Sequence, residues 1–205
     1  MGLSAERLKQ DLDALSAIEP RFGEAIAAVG YPAPRQRARG YETLLRTIVG
    51  QQVSFKAADA VWRKLEDARG DMTDPQAILS ADFDALRACG LSRQKQGYAR
   101  SLAQLVADGE LPILALPDDD EAAIELLTQV KGIGRWSAEI YLLFAEGRPD
   151  IWPAGDLAVQ IEVGRILGHD ARPGEALTRE LAQRWRPHRG AAAIFAWHSY
   201  QTPVL

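Results

Sequence analysis

The sequence predicts an all-α protein, and three observations lead to this prediction. Apolar residues recur at helical spacing, as in residues 4–17, where Leu8, Leu12 and Leu15 fall on one face. No stretch of five or more residues alternates apolar and polar side chains as a half-buried strand does. Pro, Gly or a capping Asp or Ser stands at the boundaries between helical segments. We therefore expect about ten helices joined by short connections.

The predicted helices follow one another along the whole chain. The first two end before Gly30 and the turn YPAP. A helix that begins after Leu116-Pro117 carries acids that suit its positive N-terminal end, and another helix begins near Arg135. The segments predicted before that pair are 4–17, 19–29, 41–54, 54–68, 75–80, 81–88 and 92–108.

The composition is that of an ordinary globular protein. Of 205 residues, 47% are hydrophobic and 25% are charged, which suits one domain or one compact unit of two lobes. No apolar run approaches the roughly 18 residues of a membrane span. The N-terminus lacks the apolar core of a signal peptide, so we expect a cytoplasmic protein. The single cysteine, Cys89, excludes an internal disulfide and a cysteine-ligated zinc or iron–sulfur site.

The charge of the chain gives a mixed indication about nucleic acid. A net charge of −4 argues mildly against such a partner, because proteins that bind nucleic acid are usually basic. Charge is local, however, and bases cluster without acids at 35–39, 93–100 and 184–189. A solvated surface is the simpler interpretation of each cluster. Only a motif that engages phosphate would make DNA the expected partner.

Such a motif is the turn KGIG, which contains Gly132 and Gly134. It joins two predicted helices in a tight helix-turn-helix pair. Glycine permits positive φ and close backbone approach, and successive amides at the start of the second helix suit an anion such as phosphate. An ordinary corner between two helices with glycine caps is the alternative.

Four ordered motifs resemble one family of DNA repair enzymes. The pattern Lys-Gly-Ile-Gly-x-Trp-Ser-Ala at 131–138, followed by WPAG and Asp156, resembles the helix-hairpin-helix DNA glycosylase superfamily. The stretches LLRTIVGQQVS (44–54), CGLSRQKQGYARSLA (89–103) and WRPHRGAAAIFAW (185–197) resemble its 3-methyladenine DNA glycosylase II, or alkylbase DNA glycosylase, family.

The resemblance implies one glycosylase unit over 1–205, built as two helical lobes with a cleft between them. Lobe one spans about 41–148 and contains the hairpin at 121–146, while lobe two joins about 1–40 to 149–205. The implied activity is hydrolysis of the N-glycosidic bond of alkylated purines, of the 3-methyladenine and 7-methylguanine type, by base flipping in base excision repair. The implied partner is double-stranded DNA with damaged bases. We expect a monomer, associated with the nucleoid in a bacterium.

Asp156 is the expected catalytic residue. Breaking an N-glycosidic bond builds positive charge on the sugar, which a nearby carboxylate stabilises while it orients or deprotonates water. One carboxylate suffices when the leaving base is already cationic, as N3- and N7-alkylated purines are. Trp136 stands where lyase-active relatives carry a nucleophilic lysine, and Lys131 does not match that position, so we expect no lyase activity. Asp156 alternatively caps the helix LAVQIEVGRIL, or does both; Gly155 stands where some relatives have another acid.

The resemblance also assigns a base pocket. Trp136 and Trp197 match pocket positions, where an indole face attracts a cationic purine. Ile140 and Leu157 stand where relatives carry tyrosines, which implies a less aromatic pocket. Core packing is the simpler interpretation of the remaining tryptophans considered, Trp62 and Trp185.

The remaining implied contacts are made to the DNA backbone and to a cation. Gln51 and Gln52 match the loop whose wedge fills the space of the flipped base, with a polar pair inside a helix as the alternative. The hairpin residues expected at the DNA are Lys131, Gly132, Ile133, Gly134 and Arg135. No cofactor is expected to be required. A structural Na⁺ or K⁺ at the hairpin is implied, bound by the backbone carbonyls of Thr128, Val130 and Ile133.

The residues are also compatible with two other functions. One is a non-catalytic helix-hairpin-helix module that binds DNA, although such a module has no need of an acid near phosphates. The other is a monofunctional glycosylase for another base, such as uracil or hypoxanthine. The absence of a second well-placed acid favours alkylated purines.

Overall fold

The computed structural model describes residues 2–202, and within that range every regular element is helical. The helices are α1 (Ala5–Ile18), α2 (Pro20–Val29), α3 (Tyr41–Gly50), α4 (Phe55–Arg69), α5 (Gln76–Leu79), α6 (Phe83–Ala88), α7 (Arg93–Ala107), α8 (Asp120–Thr128), α9 (Arg135–Tyr141), α10 (Leu157–Leu167), α11 (Glu175–Leu181) and α12 (Arg189–Gln201). A π-helical segment, Leu142–Glu146, follows α9, and a 3₁₀ turn, Ala182–Trp185, follows α11. The predicted all-α fold is confirmed. None of the helices described in 2–202 is both long and apolar enough for a membrane span.

The chain forms two compact units. One comprises Met1–Arg37 and Leu142–Leu205, and the other is Ala38–Tyr141. The first unit is therefore discontinuous in sequence, since its N-terminal helices pack with the C-terminal ones.

Local capping fixes most of the helix boundaries that the sequence predicts. The hydroxyl of Ser54 accepts a hydrogen bond from the amide of Ala57 at 3.2 Å and starts α4, and Ser92 starts α7 in the same way. The predicted helices 4–17, 19–29, 54–68 and 92–108 each lie within one residue of the observed bounds at either end. The predicted helix 41–54 is wrong at its end, because α3 stops at Gly50 and Gln52 adopts a left-handed φ of 55°.

Aromatic packing forms the core of the discontinuous unit. Phe22 of α2 is fully buried and meets Trp185 edge-to-face, with ring centroids 5.1 Å apart. Trp152 also meets Trp185 edge-to-face, with ring centroids 5.5 Å apart. α12 is buried on nearly all sides. Its run of small residues, GAAA, lets neighbouring segments approach its backbone closely. A Cβ added at Gly190 would lie 2.6 Å from the carbonyl oxygen of Pro149.

Ion pairs within the discontinuous unit use the basic cluster at 184–189. The guanidinium of Arg189 forms two hydrogen bonds of 2.8 Å to the carboxylate of Asp150, and Arg186 approaches the same carboxylate at 3.5 Å. Arg184 pairs with Glu19. These bases are therefore paired with carboxylates of the same unit, which offset their charge.

In the unit Ala38–Tyr141, the central helix is α3, which packs against α4, α7 and α9. Leu44, Leu45 and Ile48 are fully buried. Trp62 is 2% exposed and Trp185 is 0% exposed, so the core positions predicted for these two tryptophans are confirmed.

Residues of the basic run at 93–100 also bind other parts of the unit Ala38–Tyr141. The ammonium of Lys95 donates to the carbonyl of Val49 at 2.7 Å, at the C-terminal end of α3, and burial lowers the pKa of this lysine. Arg100 donates to the carbonyl of Leu79 and lies over the ring of Phe83. Two of the three bases in this run thus bind carbonyls of the protein itself.

We expect Phe22→Ala to lower the free energy of unfolding by about 3–5 kcal/mol, because it removes a fully buried ring from the aromatic core. Phe55→Ala is the matched control, since Phe55 is 90% exposed and its truncation should change stability by no more than about 0.5 kcal/mol. Urea unfolding followed by circular dichroism measures both values. Equal midpoints for the two variants would contradict this assignment of the core.

Candidate active site

The conformation of the hairpin between α8 and α9 depends on Gly132. Gly132 has a φ of 84°, and an added Cβ would lie 2.2 Å from Cδ2 of Tyr98 on α7. Only glycine satisfies both conditions. Gly134 does not share them, because nothing lies within 4 Å of its added Cβ. α8 ends at Thr128, so the connection covers 129–134 and is longer than the predicted turn KGIG.

Backbone hydrogen bonds hold the hairpin in shape. The amide of Ile133 donates to the carbonyl of Val130 at 3.0 Å, and both residues are buried. The amide of Lys131 donates to the hydroxyl of Ser101 at 3.1 Å. These two amides are therefore used within the protein, whereas Gly132 and Gly134 lie exposed on the surface of the hairpin.

Arg135 joins the two helices of the hairpin. Its guanidinium forms two hydrogen bonds, of 2.8 Å and 2.6 Å, to the carboxylate of Glu121 on α8 and a third, of 2.9 Å, to Glu139. The hydrogen bonds to Glu121 raise the pKa of Arg135 further above its ordinary value. Two carboxylates offset its charge, so Arg135 holds α8 and α9 together more than it attracts phosphate.

The loop between α3 and α4 is bound to the same hairpin. The side-chain amide of Gln51 donates to the carbonyl of Gly132 at 2.7 Å. Gln52 is exposed and has a left-handed backbone, which is uncommon for a residue other than glycine. The alternative of a polar pair inside a helix is wrong, because both residues lie beyond the end of α3.

Asp156 is the N-cap of α10. Its Oδ1 accepts a hydrogen bond from the amide of Val159 at 3.0 Å and another from the indole Nε1 of Trp197 at 3.1 Å. The capping role weighed for Asp156 is therefore confirmed. Asp156 is half-buried, and the two bonds fix the orientation of its carboxylate.

Trp197 reaches Asp156 from α12, 41 positions along the chain. It is 9% exposed, and its ring packs at a tilt of 39° on Phe144, with centroids 5.6 Å apart. This packing limits the rotamers of Trp197 and so fixes its N–H toward the carboxylate.

A hydrogen-bonded chain that the sequence analysis missed holds the turn before Asp156. The side-chain amide of Gln160 donates to the carbonyl of Ala154 at 2.8 Å, and Arg172 donates to the carbonyl oxygen of that Gln160 side chain at 2.6 Å. Gln160 is only 6% exposed. A polar residue four positions after the capping aspartate, on the apolar face of α10, was the available signal.

The four residues expected in the base pocket divide between the two units. Trp136 and Ile140 lie on α9 in the unit Ala38–Tyr141, where Trp136 is 48% exposed and Ile140 is buried. Leu157 and Trp197 belong to the discontinuous unit, where Leu157 is 57% exposed. Their assembly into one pocket stays a prediction. Among residues 2–202, no group of three or more His, Cys, Asp or Glu side chains is arranged to hold a metal ion.

Comparison with known proteins gives a consistent family. Residues 45–187 match the family model of the HhH-GPD superfamily of base excision DNA repair proteins. The chain is 30% identical over 202 residues to DNA-3-methyladenine glycosylase 1 of Schizosaccharomyces pombe, covering 93% of this chain and 89% of that protein.

Two solved structures extend the comparison to the fold. The S. pombe 3-methyladenine DNA glycosylase in complex with abasic DNA is 29% identical with a TM-score of 0.80, covering 96% of this chain and 98% of that chain. A DNA-3-methyladenine glycosidase from Bacillus halodurans is 28% identical with a TM-score of 0.86, covering 94% and 89%. Fold and hairpin thus define a DNA repair protein of the helix-hairpin-helix class. The chain belongs to the HhH-GPD superfamily of base excision DNA repair proteins, within its 3-methyladenine DNA glycosylase family.

Gly132→Ala should destabilise the hairpin strongly. The substitution places a Cβ against the ring of Tyr98 and strains a backbone of positive φ, so we expect a loss of about 2–5 kcal/mol in the free energy of unfolding. Gly134→Ala, two residues away and in open space, should change stability by no more than about 0.5 kcal/mol. Chemical denaturation of both variants checks this, and equal losses would show that Tyr98 moves aside freely.

Proposed function

We propose that this protein is a monofunctional DNA glycosylase that releases N3- and N7-alkylated purines from double-stranded DNA and leaves an abasic site. The relatives named as 3-methyladenine DNA glycosylases support the substrate class, and one of them was solved with abasic DNA. The observation that carries the proposal is the carboxylate of Asp156, oriented by the start of α10 and by the indole N–H of Trp197.

Asp156 supplies the chemistry in this proposal. As the bond between C1′ and the base nitrogen breaks, its electron pair leaves with the base and positive charge builds on the sugar. The carboxylate stabilises that charge and directs a water molecule to C1′. As the water oxygen bonds to C1′, the carboxylate or solvent takes up the proton that the water loses. A cationic alkylated purine departs as a neutral base, so one acid suffices.

The absence of lyase activity is part of the proposal. Strand cleavage by relatives of this kind needs an amine that attacks the sugar, and the matching position on α9 carries Trp136. Lys131 lies within the connection before α9, and its exposed side chain suits neutralisation of a phosphate. Trp136, Ile140, Leu157 and Trp197 are proposed to hold the flipped base, with the two indoles facing its positive charge.

Contact with the DNA backbone is proposed at the hairpin and in the loop bound to it. Gly132 and Gly134 are exposed residues, and their backbone amides are proposed to bind a phosphate. Ile133 anchors the turn, and the charge of Arg135 is largely offset by its two glutamates. Gln52 is proposed as the wedge, since it is exposed in the loop between α3 and α4 and has a left-handed backbone. Gln51 then positions this wedge through its bond to Gly132.

A monovalent cation, Na⁺ or K⁺, is proposed to bind the backbone carbonyls of Thr128, Val130 and Ile133. The residues fit such an ion, because the carbonyl of Val130 accepts one hydrogen bond and a carbonyl oxygen has two lone pairs. When bound, the ion would add positive charge beside the amides of the hairpin. No cofactor is proposed for the chemical step, and we propose that the protein acts as a monomer.

Asp156→Asn tests the chemical step. Asparagine caps a helix as well as aspartate does, so the variant keeps α10 and loses the negative charge. We expect release of 3-methyladenine and 7-methylguanine from N-methylated duplex DNA to slow by about 100- to 1,000-fold. Asp82→Asn is the matched control, since Asp82 caps α6 through a 2.7 Å bond to the amide of Ala85 and should keep wild-type activity.

Strand breaks are scored in the same assay, with and without alkali. The proposal expects base release by the wild type and breaks only after alkali. Breaks without alkali would reveal lyase activity, and DNA binding without any base release would favour a non-catalytic hairpin module.

Trp197→Phe tests the orientation of the carboxylate. Phenylalanine keeps a ring against Phe144 but removes the donor to Asp156, so we expect single-turnover base release to slow by about ten- to hundredfold. The control is Trp185→Phe, because the indole N–H of Trp185 finds no acceptor within residues 2–202. A Trp197→Phe variant as fast as Trp185→Phe would show that the hydrogen bond is unimportant for the reaction.

A further inference from the structure

Phe55 is the most exposed large hydrophobic side chain in the described range 2–202. It is 90% exposed, and its neighbour Val53 is 44% exposed. Burying a phenylalanine side chain contributes roughly 1.5–3 kcal/mol, which this residue does not gain within its own fold. A single exposed apolar side chain is common on protein surfaces, so the argument for a partner depends on what surrounds Phe55.

The position of Phe55 directs its ring beyond the end of a helix. Phe55 is the first residue of α4, directly after the capping residue Ser54. Side chains on a helix tilt toward its N-terminus, so we expect the side chain of this first residue to lean toward the preceding loop 51–54 rather than along the helix. Phe55 and the tip of that loop therefore belong to one surface.

That loop is firmly held. Gln51 is bonded to the carbonyl of Gly132 in the hairpin, and Lys95 is bonded to the carbonyl of Val49 at the end of α3. Both bonds measure 2.7 Å and come from different parts of the unit Ala38–Tyr141. The loop that precedes Phe55 is thus held by hydrogen bonds, one of which joins it to the glycine hairpin.

The charge around Phe55 suits a polyanion. The first turn of α4, FKAA, contains the exposed Lys56 and no acid. Asp59, the next acid along the helix, is paired with Arg63 at 2.8 Å. The positive end of the helix dipole adds to this local charge, in a protein whose net charge is −4.

We propose that Phe55 stacks on a base of the bound DNA, as a second contact beside Gln52 that holds the duplex open around the lesion. This inference rests on the proposed function, because it assumes that the hairpin and its attached loop face DNA. The occupant is nucleic acid rather than a second copy of the chain, since the ring lies next to an exposed lysine and a helix N-terminus. Phe55 adds binding free energy that does not depend on phosphate.

The test measures the dissociation constant for a duplex that contains a tetrahydrofuran abasic-site analogue, between about 50 and 200 mM salt. Phe55→Ala is expected to raise it roughly five- to hundredfold by loss of base–aromatic stacking. The factor should be the same at every salt concentration, because no phosphate contact is lost. Phe55→Trp should restore binding, and Phe55→Leu should not.

Phe83→Ala is the matched control. Phe83 is the first residue of α6 and follows a capping aspartate, and it is 55% exposed, so it has the same local position as Phe55 in a different helix. Its substitution should leave the dissociation constant unchanged. Melting temperatures of all variants establish that any loss of binding is not a loss of folding.

Three results would overturn the inference. They are equal affinity of Phe55→Ala and wild type, full binding by Phe55→Leu, and a wild-type dimer in sedimentation that Phe55→Ala abolishes while DNA binding persists. Base release distinguishes this failure from failure of the proposed function. If wild type releases the base and Phe55→Ala binds as tightly as wild type, only the stacking contact is refuted. If wild type neither binds abasic DNA nor releases a base, the stacking contact and the proposed function are both refuted.

Discussion

The backbone of Gly132 connects three parts of the unit Ala38–Tyr141. Its positive φ closes the turn after α8, the ring of Tyr98 on α7 occupies the space where a Cβ would be, and its carbonyl accepts the side chain of Gln51. A bulkier residue would disturb all three contacts at once. The position of the hairpin, the packing of α7 and the conformation of the loop after α3 therefore depend on the absence of one side chain.

The same use of a local feature for two purposes recurs at Asp156. A helix N-terminus needs an acceptor for its first amides, and a carboxylate that meets this need is held in one orientation. Trp197 adds a second donor, and Gln160 with Arg172 holds the turn that carries the aspartate. The cap that stabilises α10 therefore also fixes the orientation that the proposed catalytic role of Asp156 requires.

The charge distribution limits how much electrostatic attraction can contribute to DNA binding by this acidic protein. Many of its bases are engaged by its own carboxylates and carbonyls, as Arg135, Arg189 and Lys95 show. Bases paired in this way are less available to phosphate, so we expect electrostatic attraction to supply less of the affinity than in a basic protein. Hydrogen bonds from the hairpin amides and stacking by an exposed ring would carry a larger share, and these contacts require close fit to a deformed duplex.

Some helices of this protein can be predicted from its sequence and others cannot. Helices α1, α2, α4 and α7 follow from serine caps, prolines, glycines and apolar spacing, because these features act within a few residues of the chain. The glycine hairpin and the cap at Asp156 were predictable for the same reason. The early end of α3 was not, since the loop that follows it is held by a hydrogen bond from Gln51 to Gly132, 81 positions along the chain.

Contacts between distant residues were decided by tertiary structure alone. Trp197 was placed near the site by resemblance, but its hydrogen bond to Asp156 depends on how α12 packs against α10. From the sequence, Arg135 was expected to contact DNA. Only the packing of α8 against α9 places the carboxylate of Glu121 within hydrogen-bond distance of its guanidinium. The sequence by itself determined which segments are helical and where the glycine turn and the capping acid lie, because local sterics and capping bonds govern these features. Which side chains meet was decided by packing, because side chains far apart in the chain become neighbours only once the helices have assembled.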